Sequence, residues 1–407
     1  MFLIYDAVFL LYAVVYLPYL LLTRRAYKGF AMRLGLFSPQ VREQIKGKAN
    51  IWLHAVSVGE VMVLDGFIDR LKKSYPAYQL IVTVTTKTGY ALACERLKAK
   101  AVVVPSPLDF SFVANGFVSL IAPTMYIAVE TEIWPNLYRQ LFRHRIPLAV
   151  INGRISEASF GRYKAISFLL KGILSQVSAW CMQGARDAQR IRELGAETSR
   201  VTVTGNLKFD DLPKAGDLTI PSFFNQEESG KSLWWVAGST HPGEEEIVMD
   251  VYSKIIQDDP RWKLVIVPRH IERASQIREL GVRRGIKDLI VVDTIGQLRS
   301  LYSIASLVFV GKSLCVGGGQ NIIEPAFYGK AIIVGPRCAN FRDVVACFKD
   351  ADAIVQVDDV HMFEKAVRAL AADPIRRAKL GAAAKAVITV NQGASQRSLE
   401  RLAEFLS

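Results

Sequence analysis

The sequence predicts an α/β fold of two doubly wound domains preceded by a membrane-anchor helix, and three observations lead there. From residue 50 onward, short apolar runs alternate with longer helical patterns. That rhythm implies parallel sheets covered by helices on both faces. It breaks once, at residues 211–231, and then resumes. The stretch from Phe2 to Leu22 is apolar apart from Asp6, with four tyrosines interspersed. At 407 residues the chain also exceeds one ordinary core.

In chain order, residues 1–22 are long enough to span a bilayer, and a helix lying in the interface is the alternative. The basic group Arg24, Arg25, Lys28 and Arg33 follows this stretch rather than preceding it. That order argues against a cleaved signal peptide and places the rest of the chain on the cytoplasmic side of the membrane. Net charge +13 fits an anionic membrane surface better than nucleic acid, since no nucleic-acid-binding motif accompanies it.

The first domain, 23–210, holds candidate strands at 51–56, 80–84, 102–104, 125–129, 148–151, 179–182 and 201–204. Residues 211–231, with prolines, glycines and acids, read as a linker. The second domain, 232–407, holds candidate strands at 233–237, 264–267, 289–292, 307–310, 331–334 and 354–357, and its last helix could cross back to the first domain. Ligands of such sheets bind beyond the carboxyl ends of the strands, so a cleft between the two domains is expected to hold the chemistry.

Five cysteines and five histidines are scattered without metal-ligand or disulfide spacing, so no metal and no cofactor is expected. Residues 317–336 carry the sharpest signal. Three glycines, Gly317 to Gly319, precede a helix start bearing Glu324, and a second apolar strand follows. Glycines let a backbone approach a ligand, a helix start offers N–H groups to an anion, and the carboxylate can accept both hydroxyls of a ribose. The plainer reading is a tight turn with Glu324 complementing the helix dipole.

Other loops carry candidates of the same kind. Glu60 follows the Ser57-Val-Gly turn at a helix start, where it reads equally as a general base or as a dipole-complementing acid. The helix dipole there is expected to favour its ionised form. Glu130 ends a strand, and Glu132 reads as the cap of the helix starting near Pro135. Lys208 offers a cation for a carboxylate or phosphate, against the plainer reading of a solvated surface lysine. Ser239, Thr240 and the neighbouring N–H groups suit a phosphate, as does Arg269.

Taken in order, His54-Ala-Val-Ser-Val-Gly-Glu60, Glu130-Thr-Glu-Ile-Trp-Pro-Asn136, Asn152-Gly-Arg-Ile-Ser156, Gly205-Asn-Leu-Lys-Phe209, Ser239-Thr-His-Pro-Gly-Glu244, Val267-Pro-Arg-His270 and Gly318-Gly-Gln-Asn-Ile-Ile-Glu-Pro325 resemble the 3-deoxy-D-manno-octulosonic acid (Kdo) transferase family. The resemblance runs nearly end to end. It implies two Rossmann-like domains of glycosyltransferase B type and an N-terminal anchor in the inner membrane. By the same resemblance the donor is CMP-Kdo, the acceptor is the lipid A precursor, and transfer inverts the anomeric centre.

The resemblance makes Glu60 the general base, with Glu130 and Lys208 stabilising the transition state. It assigns CMP binding to Pro268 and Arg269, to Val310, Gly311 and Lys312, and to Asn321, Ile322, Ile323 and Glu324. Two departures stand out: Lys312 occupies a position where glycine is usual, and Gln320 one where histidine is usual. A membrane-bound transferase using a UDP-sugar on another lipid is the alternative, because Lys312 adds a cation suited to a second phosphate. A nucleotide-binding protein without turnover is opposed by Glu60, Glu130 and Lys208 occurring together.

Overall fold

The computed structural model describes residues 5–6, 29–210, 232–294 and 296–406. The chain divides into two compact units, one of Met1–Asp211 with Gln392–Ser407 and one of Leu212–Asn391. In the first unit, β1 (Asn50–Ala55), β2 (Gln79–Val84), β3 (Val102–Pro105), β4 (Pro123–Val129), β5 (Leu148–Gly153), β6 (Ala179–Met182) and β7 (Val201–Val203) form one sheet. The spatial order is β3-β2-β1-β4-β5-β6-β7, and every pairing is parallel. The central strand β1 is buried along its whole length, as a strand covered by helices on both faces must be.

The second unit repeats the plan with β8 (Leu233–Thr240), β9 (Trp262–Pro268), β10 (Ile290–Val291), β11 (Leu307–Val310), β12 (Ala331–Val334) and β13 (Val355–Gln356). Their order is β10-β9-β8-β11-β12-β13, again parallel throughout. Each of the thirteen apolar runs expected to be a strand is one. The strands feed apolar side chains to both faces of their sheets, where helices close the cores.

The helix Ala394–Ala403 belongs to the first unit. Its Ala394, Leu399 and Leu402 join the core beside Leu53, Leu64 and Leu71. Asp210 fastens the helix start by accepting the N–H groups of Gly393 (2.7 Å) and Ser395 (2.5 Å), and Arg397 Nε donates to the Thr204 carbonyl (2.8 Å).

The linker 211–231 lies outside the described residues, and so does the anchor segment 1–22 apart from Tyr5 and Asp6. Among the described residues no helix is long and apolar enough to cross a membrane, so the expected spanning helix gains no support here. Tyr5 and Asp6 bond to protein groups of the first unit. The Tyr5 hydroxyl donates to Asp109 (3.1 Å), while Asp6 accepts from Asn136 Nδ2 (2.6 Å) and from the N–H and hydroxyl of Ser111. Arg33, read as part of the basic flank, donates to the Ser106 carbonyl (3.1 Å).

Candidate active site

In a parallel sheet, the crevice for a ligand opens where strand order reverses, beyond the carboxyl ends. That point falls between β1 and β4 in the first unit and between β8 and β11 in the second. The loops leaving β1 and β4 carry Glu60 and Glu130. In the second unit the carboxyl end of β8 carries Ser239 and Thr240, and the loop leaving β11 carries Gly311 and Lys312.

β1 gives way to the helix Val58–Ser74, whose N-cap is Ser57. Glu60, three residues on, folds back over the cap: Oε2 accepts the Val56 N–H (2.7 Å), and Oε1 accepts the Ser57 hydroxyl (2.8 Å). This variant of the capping box holds the carboxyl with 5% of its surface exposed. Burial pushes its pKa up to about 7. The Val56 hydrogen bond opposes that rise, and the charges of Glu130 and Glu132 add to it. The expected dominance of the helix dipole is therefore corrected: desolvation outweighs it, because the carboxyl sits inside the protein among other acids. A group poised near 7 is the stronger base for it.

Glu130 stands directly after β4 in the left-handed region, with φ 60°. A non-glycine residue held there costs on the order of 1–3 kcal/mol, a strain typical of functional sites. Glu132 does not cap the next helix. The N-cap of Pro135–Arg143 is Trp134, without a side-chain cap bond. The first N–H groups of that helix are taken from another loop, with Asp109 accepting Asn136 N (3.1 Å) and Leu137 N (2.8 Å). Glu132 instead joins the acid group, its pKa pushed up to about 7 by burial and then by Glu130.

His54 takes no part as an acid or base. It is buried, its Nδ1 lies 2.9 Å from Thr83 Oγ1, and burial lowers its pKa to about 3, which keeps the ring neutral. It packs edge-on to Trp134 at 6.0 Å and so ties β1 to the Glu130 loop.

Lys208, half-buried, sits in the short 3₁₀ turn Leu207–Phe209. The motif beginning at Asn152 shapes this turn. Asn152 Oδ1 accepts Leu207 N (3.0 Å), Gln183 bridges the Asn152 carbonyl to Asn206, and Asn206 accepts Lys208 N (3.0 Å). Asn152 itself has φ 54°, a conformation asparagine tolerates better than most residues.

In the second unit, Thr240 pairs with Pro268 across β8 and β9, and Arg269 N donates to the Thr240 carbonyl (3.0 Å). Thr240 Oγ1 is buried and has no hydrogen-bond partner among the described residues. Of the N–H groups at this turn, that of His241 is already taken. Glu244, fully buried, accepts His241 N (2.9 Å) and Lys312 N (2.8 Å) on Oε2, and Ser313 N (3.0 Å) and Leu314 N (2.9 Å) on Oε1. One carboxylate thus clamps the β8 loop to the β11 loop. Gly318 and Gly319 donate to the Arg337 and Lys312 carbonyls, and their positive φ serves close packing on Asn340 and Cys338.

Gly311 leaves no room for a side chain. A Cβ there would meet the Ser239 carbonyl oxygen and Thr240 Cα at 2.7 Å, and Glu244 Oε2 at 2.8 Å. Gly311→Ala is expected to destabilise the second unit by about 1–3 kcal/mol through overpacking, read as a lower urea midpoint. An unchanged midpoint would mean that the clamp yields.

Asn321 Oδ1 accepts Ile323 N (3.0 Å) at the start of the helix Ile323–Phe327. Val310, Ile322 and Ile323 are buried, so these three offer a ligand their backbone only. Glu324 receives Arg299 Nε at 3.3 Å.

A family model described as 3-deoxy-D-manno-octulosonic-acid transferase (kdotransferase) matches residues 28–211. The 3-deoxy-D-manno-octulosonic acid transferase of Haemophilus influenzae is 32% identical over 88% of this chain and 87% of that protein. The bifunctional glycosyltransferase/methyltransferase of Fusobacterium nucleatum is 35% identical over 80% of this chain and 53% of its own length, so the chain spans about half of it. Among solved structures, UDP-GlcNAc 2-epimerase from Neisseria meningitidis bound to UDP-GlcNAc aligns with a TM-score of 0.58 over 87% of this chain and 100% of that one. At 12% identity that likeness concerns the fold alone.

Proposed function

The chain belongs to the 3-deoxy-D-manno-octulosonic acid transferase family of glycosyltransferases, and from that premise we propose that it moves Kdo from CMP-Kdo to the lipid A precursor with inversion, Glu60 acting as general base. The observation that carries the reading is Glu60 itself, a buried carboxyl at the β1/β4 crevice with its pKa raised to about 7. Each of its oxygens accepts one protein hydrogen bond and keeps a second lone pair for an acceptor hydroxyl. As that hydroxyl attacks the anomeric carbon, its proton passes to Glu60 and CMP leaves. Glu130 supplies fixed negative charge to the oxocarbenium-like centre, and Lys208 balances the carboxylate of the sugar. The leaving group carries one phosphate, so Arg269 and backbone N–H groups other than the four that Glu244 accepts serve it without a metal or other cofactor. Residues 1–22 and their basic flank keep the enzyme at the inner membrane, catalytic units on the cytoplasmic side.

Mass analysis of the lipid after incubation with CMP-Kdo and the precursor tests the reading. A product heavier by one or more Kdo units is expected, and unchanged precursor would refute it. CMP should bind more tightly than UDP in calorimetry; the reverse order would favour a UDP-sugar donor, the reading that Lys312 leaves open. On the ribose assignment, Glu324→Ala should weaken CMP binding roughly ten- to a hundredfold, the loss of charge-assisted hydrogen bonds to two hydroxyls. Unchanged affinity would remove Glu324 from the donor set.

A further inference from the structure

The second unit contains a cavity of about 490 Å³ that none of the residues assigned to the donor lines. Its volume lies within the range of small-molecule sites, roughly 300–1,000 Å³. Two loops build its floor. Gly318 N donates to the Arg337 carbonyl and Asn340 N to the Gly318 carbonyl, both at 2.9 Å, so the loops after β11 and β12 are tied together. Its wall is the helix Arg342–Asp350, which contributes Arg342, Val345, Ala346 and Lys349. Those positions are spaced i, i+3, i+4, i+7, so they form one stripe of the helix. Arg337 completes a set of three cations, and among the described residues no carboxylate lines the cavity.

Charge pairing elsewhere in the unit sharpens the contrast. Lys254, Lys263, Arg273, Arg278, Arg284 and Arg368 each face an acid within 3.2 Å. A second cavity, of about 300 Å³, also has arginines in its lining, but Asp259 answers Arg261 and Asp258 answers Arg368. Around the larger cavity, Arg342 and Lys349 have no ion pair among the described residues, and Arg337 donates to the Cys315 carbonyl (2.5 Å). Three exposed cations beside apolar Val345 and Ala346, with no acid in the lining among the described residues, form a site for an anion carried on a larger, partly apolar molecule.

We propose that this cavity binds a phosphate monoester distinct from the nucleotide donor. The proposal does not rest on the Kdo-transfer reading. A phosphate monoester can come from a soluble sugar phosphate or from a lipid headgroup, and the test separates them. The full chain in neutral detergent is titrated with glucose 6-phosphate against chloride at matched ionic strength, with the thermal midpoint as readout. In a second arm it is mixed with phosphatidylcholine vesicles with and without phosphatidic acid.

The comparison is between wild type, the double variant Arg342→Ala/Lys349→Ala, and the charge-conserving Arg342→Lys/Lys349→Arg. Both side chains are exposed, so neither variant disturbs the core. In at least one arm the double variant should bind the phosphate about tenfold more weakly or worse, the charge-conserving variant should recover binding, and all three should bind CMP alike. The responding arm names the source. Equal phosphate response in wild type and double variant in both arms would overturn the site. Loss of CMP binding along with phosphate binding would overturn its independence from the donor.

Discussion

Glu60→Gln is expected to lower transfer by roughly 10²–10⁴-fold, the range that one general base contributes. Glutamine keeps the shape of the cap: its carbonyl oxygen can accept Val56 N as Glu60 does now, and its amide can donate to Ser57 Oγ where the carboxylate now accepts from that hydroxyl. Loss of activity would therefore report lost basicity rather than a lost fold. In the wild type the rate should climb as pH rises through about 7, where the buried carboxyl deprotonates.

Stability should move the other way. The folded pKa, about 7, lies above the 4.5 of an ordinary glutamate, so the folded state holds the proton more tightly. That contribution to stability is complete below the unfolded pKa and is lost as pH rises through 7. Relative to wild type, Glu60→Gln should gain thermal midpoint at pH 8 and lose that gain near pH 5. Transfer within about twofold of wild type would remove Glu60 from the base role whatever the midpoints do.

Glu244→Ala should be the most damaging substitution for the second unit. It strands the N–H groups of His241, Ser313 and Leu314, which are buried, and of Lys312, which is partly so. At about 1–3 kcal/mol for each stranded group, a loss of about 4 kcal/mol or more is expected. Glu244→Gln should lose about half as much, because one oxygen remains an acceptor while the new NH₂ faces the donors of the other pair. CMP affinity should fall in both variants, since the β8 and β11 loops are held together by this one group. Urea unfolding and calorimetry give the two readouts, and an unshifted unfolding midpoint for the alanine variant would show that the loops hold without the clamp.

Glu60 and Glu244 differ in how far they could be read beforehand. Glu60 stands three residues after a serine at a strand-to-helix turn, a local pattern with a local consequence. Glu244 also starts a helix, but three of its four partners lie at 312–314, more than sixty residues away in sequence. Asp109 is similar: it caps a helix beginning at Pro135, a role that proximity in sequence had given to Glu132. The Asn152 motif stood out in the sequence, yet its task of shaping the Lys208 turn shows only through Gln183 and Asn206.

The sequence by itself determined the strands and their division into two parallel sheets. An apolar run flanked by turn residues buries itself on both faces whatever its neighbours are, so local composition suffices. Only the tertiary structure decided the chemical state of the side chains between those strands. Desolvation and hydrogen bonding act through space: burial beside Glu130 and Glu132 turned a helix-start acid into a base poised near 7, and Glu244 gathered N–H groups from two loops far apart in sequence.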